Sequence, residues 1–211
     1  ADGLDVRTGV EIEAIVREGA GFLVRGERWD GVILTPPLPQ TSRLLWTAGD
    51  ARPLGNARYR ACVSVSLGYQ TAPTPDVPYH ALLSKSHEVG WISLESLKVA
   101  GRAPAGGSAF TLQLSERASL EQFALPDDDL VRRAANALTR LYGAAFASPD
   151  AATVMRWKYS QPVTVAANKG VNPPGTRLLI AGDGVSASKA PDAWNSGVAA
   201  AQRLLSLPPD L

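Results

Sequence analysis

Leu178-Leu179-Ile180-Ala181-Gly182-Asp183-Gly184 and, a short loop later, Asp192-Ala193-Trp194-Asn195-Ser196-Gly197-Val198-Ala199-Ala200-Ala201 decide the fold class of this chain. A short apolar run without alternation reads as a strand covered on both faces. It ends in Gly-Asp, and a helix rich in small residues follows. In an open α/β sheet, ligands sit beyond the carboxyl ends of the strands. Asp183 is therefore expected at the mouth of a crevice, between Gly182 and Gly184, where it accepts a hydrogen bond from a sugar hydroxyl. The helix start around Asn195, Ser196, Gly197 and Val198 is expected to offer unpaired N–H groups and a positive dipole end. Those suit a phosphate or an electron-rich ring carbonyl, and Gly197 leaves room for a flat ring to approach. An ordinary strand–turn–helix, with Asp183 capping its own loop, reads equally well from these residues alone. Gly182 to Ala187 also fits the dinucleotide pattern G-x-G-x-x-A, but no second strand follows. Nor does an acidic residue stand ~20 positions on to hold a ribose, so that match is accidental.

Working outward, Trp29-Asp30-Gly31-Val32-Ile33-Leu34-Thr35 is a second unalternating apolar run, stopped by Pro36-Pro37. It too reads as a strand of a parallel sheet. Before it, Val10 to Val16 and Phe22 to Val24 read as a hairpin turning at Gly19-Ala20-Gly21. Pro39 to Leu45 predicts a short helix with Pro in its first turn. Ala61 to Tyr69 alternates well as a strand, and further strands are expected near His80–Leu83, Gly90–Leu94 and Phe110–Leu114. Arg102 to Gly107 is a Gly/Pro/Ala-rich connection. Asp127 to Tyr142 predicts a helix opened by three aspartates, with Leu130, Val131, Ala134, Leu138, Leu141 and Tyr142 on one face. A loop over Asn168–Gly175 precedes the last strand. The last helix, from about Ala193 to Leu207, presents Trp194, Val198, Ala201 and Leu205 as one stripe.

Composition removes several classes of function. The chain has 211 residues, 45% hydrophobic and 19% charged, which suits a folded protein with a substantial core. A net charge of +1 gives no broad field for nucleic acid or an anionic membrane. No apolar run reaches membrane-spanning length, and no Lys/Arg-led signal segment opens the chain. Cys62 is the sole cysteine, so an internal disulfide is impossible and a cysteine-based zinc site is not expected. A cytoplasmic setting is expected. The two histidines, His80 and His87, match no helical metal pair and read as loop or surface residues. No P-loop is present, and Gly184-Val185-Ser186-Ala187-Ser188 lacks the last glycine of a nucleophile elbow.

Four segments together resemble the amine-oxidase type of FAD flavoprotein, most closely its renalase-like branch. Trp29 to Gln40 is similar to the family strand that returns to the FAD domain. Met155-Arg156-Trp157-Lys158-Tyr159-Ser160-Gln161-Pro162 is similar to the renalase segment R-W-x-Y-x-x-P near the substrate cavity. Leu178 to Asp183 matches the late FAD-binding strand, and Trp194 to Ala201 the helix after it. The family's opening strand, G-x-G-x-x-G and helix are not seen ahead of Leu4, so the chain is expected to be a fragment holding the flavin-side half of the site. Ala61 to Tyr69 also lacks the lysine that many amine oxidases place near the flavin.

The resemblance implies an α/β fold with mixed sheet. Residues 1–37 and 163–211 are expected in a Rossmann-like FAD/NAD(P)-binding domain, and residues 38–162 in a substrate domain. It implies FAD as cofactor and a small-molecule substrate, a dihydronicotinamide or an amine, with electrons passing to O2 to give hydrogen peroxide. Gly182, Asp183, Gly184, Asn195, Ser196, Gly197 and Val198 are the expected cofactor residues. Trp157 and Tyr159 are expected to wall the substrate, with Arg156 on its polar groups; a half-buried strand with aromatic packing and a solvated Arg156 reads equally well from the residues alone. No general base is assigned, because the cofactor carries the chemistry. Two other readings stay open: a protoporphyrinogen- or carotenoid-type flavin enzyme, recognised by a wholly apolar cavity, and a flavin-free binding domain.

Overall fold

Short strands punctuated by glycine turns build the first part of the chain: Ile15–Glu18 (β1), Gly21–Val24 (β2) and Glu27–Trp29 (β3) form an antiparallel meander. The computed structural model describes residues 3–55, 57–84, 88–166 and 170–208; Ala1, His87 and Asn168 lie outside them. The run expected as one strand from Trp29 to Thr35 is broken after Trp29, and only Val32–Leu34 (β4) pairs onward. Gly31 lies at the break. A Cβ there would stand 2.5 Å from a methyl of Leu204 and 3.2 Å from Arg177 O, so a side chain at this position would make Leu204 shift. Leu38–Thr47 (α1) follows, with Pro in its first turn.

Two compact units emerge, Ala1–Tyr59 with Gln161–Leu211, and Arg60–Ser160. The first boundary thus falls at Tyr59 rather than near Pro37. The reason is burial: α1 places Leu38, Leu44 and Leu45 in a core shared with Ile15, Phe22, Leu34, Leu178 and Ile180.

In the first unit, Leu178–Ile180 (β10) pairs parallel with β4, Leu178 opposite Val32 and Ile180 opposite Leu34. All three β10 residues are buried. The other edge of β10 is closed by side chains. Asn172 donates to the Ile180 carbonyl and accepts from its N–H, both at 2.8 Å, and Thr176 Oγ1 does the same for Leu178 at 3.2 Å. Arg52, only 2% exposed, secures this cap. It pairs with Asp50 through two nitrogens and donates to Val171 O, Asn172 Oδ1 and Thr176 Oγ1.

The last helix is Ala190–Leu205 (α5), starting earlier than expected because Pro191 suits a first turn. Its apolar stripe is also placed differently. Trp194 is 75% exposed and Leu205 85%, with Val198 and Ala201 also exposed, while Ala200 and Leu204 pack inward.

In the second unit five strands run in the order β6-β7-β8-β5-β9: Tyr59–Tyr69 (β5), Ala81–Leu83 (β6), Val89–Leu94 (β7), Ser108–Leu114 (β8) and Ala151–Pro162 (β9). Cross-strand register puts Ile92, Leu112 and Val65 in one row and Leu94, Phe110 and Leu67 in another. Both rows share a core with Leu130, Ala134 and Leu138 of Asp127–Tyr142 (α4), whose limits match the sequence reading; Leu141, expected inward, is 49% exposed. Glu95–Lys98 (α2) and Glu116–Gln122 (α3) were not legible as helices. No helix of the described residues is long and apolar enough to cross a membrane.

Replacing Asn172 by Ala strips both partners from Ile180 in a buried place. The expected cost is on the order of 2–4 kcal/mol, read as a lower urea midpoint; an unchanged midpoint would remove the edge cap from this account.

Candidate functional site

The two parallel strands end together. After β4 come Thr35, Pro36 and Pro37; after β10 come Ala181, Gly182 and a 3-10 turn at Asp183–Val185. Gly182 has φ +128°, a conformation side chains rarely adopt, so the chain can turn out of the sheet there. Ser196 holds that turn against α5: its hydroxyl accepts from Gly182 N at 2.8 Å and lies 2.8 Å from Ala193 O. Ser196 is thus engaged by protein.

The expectation of free N–H groups at Asn195 to Val198 fails, because α5 begins at Ala190 and the Ala193 N–H already bonds Lys189 O. By the i→i−4 pattern, N–H groups further along the helix are paired as well. The unpaired donors belong to the first turn, and Pro191 has none to offer. Gly197 does keep open space, with no atom within 4 Å of a Cβ built on it.

Asp183 is half-buried, and among the described residues no donor bonds its carboxylate. Tyr59 stands beside it, a residue the sequence reading missed because its strand was started at Ala61. The Tyr59 hydroxyl accepts from Leu38 N at 3.1 Å. Burial, opposed by that hydrogen bond and reinforced by the Asp183 charge, raises the phenol above its ordinary 10.0. A raised acid holds its proton more tightly when folded. The stability this contributes is full below pH ~10 and lost as pH rises through the folded value. Gly184 is buried under the same ring: a Cβ there would lie 2.4 Å from the Tyr59 hydroxyl and 2.9 Å from Leu38 Cγ.

These residues fit a flavin's polyhydroxyl chain. An acceptor that meets no donor among the described residues sits beyond the carboxyl ends of parallel strands, between two glycines that keep the backbone close. Gly182 and Asp183 would hold such a group; Gly184 serves packing.

In the second unit the three motif residues of β9 separate. Arg156 faces the helices, donating to Phe123 O at 2.8 Å and Leu125 O at 2.6 Å and pairing with Asp127 at 2.7 Å. Its fork is committed to the α3–α4 connection, not left free for a substrate. By the two-residue alternation of a strand, Trp157 joins Thr153 and Met155 on the opposite face, where it is 51% exposed. Tyr159 is half-buried, with Lys158 Nζ 5.6 Å from its ring centroid.

That opposite face carries polar residues. Its rows are Trp91–Gln113–Ser64 and Ser93–Thr111–Ser66. The Ser66 and Thr111 hydroxyls bond each other at 3.2 Å. At the Gly68 end, Glu95 accepts from Ser93 at 2.5 Å, Lys98 at 3.2 Å and Arg102. Burial would raise this carboxyl, but those donors outweigh it and hold it below the usual carboxylate range.

A model of the family described as flavin containing amine oxidoreductase matches residues 1–205. The chain belongs to that family, whose cofactor is a flavin. A search of the curated proteins returns no match. Among solved structures, a proposed protoporphyrinogen oxidase from Exiguobacterium sp. 255-15 is similar at TM-score 0.71 and 15% identity, covering 92% of this chain and 46% of its own. Putrescine oxidase bound to putrescine gives 0.63 and 12%, covering 90% and 47%. Cyclohexylamine oxidase from Brevibacterium oxydans IH-35A gives 0.60 and 16%, covering 92% and 48%. These likenesses establish the amine oxidase fold, and the chain spans about half the length of each.

Gly184→Ala forces a methyl into the Tyr59 hydroxyl and Leu38. It is expected to cost about 1–3 kcal/mol, measured by urea unfolding. Adding Tyr59→Phe should recover part of the loss, and full additivity of the two changes would show that the clash is absent.

Proposed function

We propose that the protein carrying this chain is an FAD-dependent oxidase of the renalase-like kind, acting on a small reduced substrate with a planar ring, such as a dihydronicotinamide. When bound, FAD would supply the chemistry of hydride acceptance from that substrate and two-electron reduction of O2 to hydrogen peroxide, with Gly182 and Asp183 as the residues that would hold it.

The observation that supports this reading best is the polar face of the second unit's sheet. Ser66, Thr111 and Gln113 reach its surface, Ser64 lies buried beside them, and the exposed Trp157 offers an aromatic ring for stacking. A wholly apolar substrate would cut the polar groups of this face off from water, and the hydroxyl proton that the Ser66–Thr111 pair leaves over would lose its partner, at a cost of about 1–3 kcal/mol. This weighs against a protoporphyrinogen- or carotenoid-type substrate, although a proposed protoporphyrinogen oxidase shares the fold. Glu95 is already held by Ser93, Lys98 and Arg102, which makes it a poor anchor for a cationic amine. Chain residues are left to bind and orient: Gly182 and Asp183 the flavin, Trp157 and Tyr159 the substrate ring. Cys62 is buried and unpaired, which suits a reducing cytoplasm.

Anaerobic mixing of the flavin-loaded protein with dihydronicotinamide isomers, beside a panel of amines, tests the reading. Bleaching of the flavin band is expected with a dihydronicotinamide and not with amines. Bleaching by amines alone would reverse the assignment.

A further inference from the structure

The polar face just described is not uniform. At the Gly68 end lies a depression of about 330 Å³, lined by Ser66, Gly68, Thr111, Thr153, Glu95 and Arg102 among others. Small residues make its floor: a Cβ on Gly68 would come within 3.6 Å of Ala151 Cβ. The paired hydroxyls of Ser66 and Thr111 share one proton between them, which leaves the second free to donate into the depression.

Glu95 is the carboxylate in its lining, and it is already held by Ser93, Lys98 and Arg102. The exposed Asp150, whose N–H bonds Gly68 O, stands next to the depression as a second carboxylate, so the case for an anion rests on the free donors and not on net charge. Arg102 is half-exposed and gives a terminal nitrogen to Glu95; its Nε–H and other terminal nitrogen bond nothing among the described residues. A planar fork with free donors beside a free hydroxyl proton matches the oxygens of a phosphate or carboxylate.

Thr153 at the depression and Trp157 lie four residues apart on one face of β9. At the rise of a strand this is roughly 13 Å, the span of a ring joined to a remote anionic group.

We infer that this depression is an anion subsite, in which Arg102 receives a phosphate-class group at the far end of the substrate from the ring that meets Trp157. The inference rests on the reading of Trp157 as the substrate's stacking partner; the Arg102 subsite itself is tested independently of it.

Isothermal titration of the flavin-loaded protein with inorganic pyrophosphate is the direct test. Binding to the wild type is expected, with at least a tenfold weaker constant for Arg102→Gln, as loss of charged hydrogen bonds implies. Arg102→Lys, which keeps the charge but not the fork, should fall between the two. Unchanged melting of each variant separates lost binding from lost folding. In turnover, Arg102→Gln should raise KM for a dihydronicotinamide dinucleotide and leave KM for the corresponding riboside alone. Equal pyrophosphate binding by wild type and Arg102→Gln, or none by wild type, overturns the subsite. Loss of pyrophosphate binding in the variant, with no flavin reduction by any dihydronicotinamide, keeps the subsite and removes the substrate reading.

Discussion

A pair of parallel strands is an unstable object by itself, and the first unit depends on how this one is completed. The pairing of β4 with β10 satisfies one edge of Leu178–Ile180, and the side chains of Asn172 and Thr176 satisfy the other. In a strand this deeply buried, an unpaired amide costs as much as the pairing gains. Arg52 makes the cap rigid by binding both capping residues while its own charge is met by Asp50. With the strand fixed, Gly182 can take its left-handed turn, and Asp183 is delivered beyond the sheet with a carboxylate that no donor among the described residues meets.

The second unit follows a different rule. Its sheet buries one face under α4 and gives the other to hydroxyls and amides, with the alternation of β5, β7 and β8 enforcing the division residue by residue. The same alternation pulls Arg156 away from Trp157. Adjacent residues of a strand cannot serve one face, so a motif that reads as a unit in sequence becomes a helix clamp on one side and an aromatic surface on the other.

Much of the fold was legible where hydrophobic period and stop signals agreed. The Asp127–Tyr142 helix was readable to its limits because three aspartates open it and Gly143 closes it. The parallel strands were readable as unalternating runs, and Gly182 and Asp183 as their ends. Less visible were features set by contacts distant in sequence. Nothing local marks Asn172 as a strand partner for Ile180, or Tyr59 as a neighbour of Gly184. The start of α5 was misplaced because Asp192 looked like a boundary while Pro191 is at ease inside a first turn, and this moved Ser196 and Gly197 from the helix end into its body. The apolar stripe of α5 was real, but periodicity tells which residues share a face and not which face is covered.

We propose that the Asp183 carboxylate, which meets no donor among the described residues, receives the flavin. The dissociation constant of FAD from the whole protein, measured by recovery of flavin fluorescence, tests it in wild type and Asp183→Ala. A group that accepts hydrogen bonds from the cofactor as a charged acceptor predicts at least tenfold weaker retention in the variant. Equal retention by a folded Asp183→Ala protein contradicts the account.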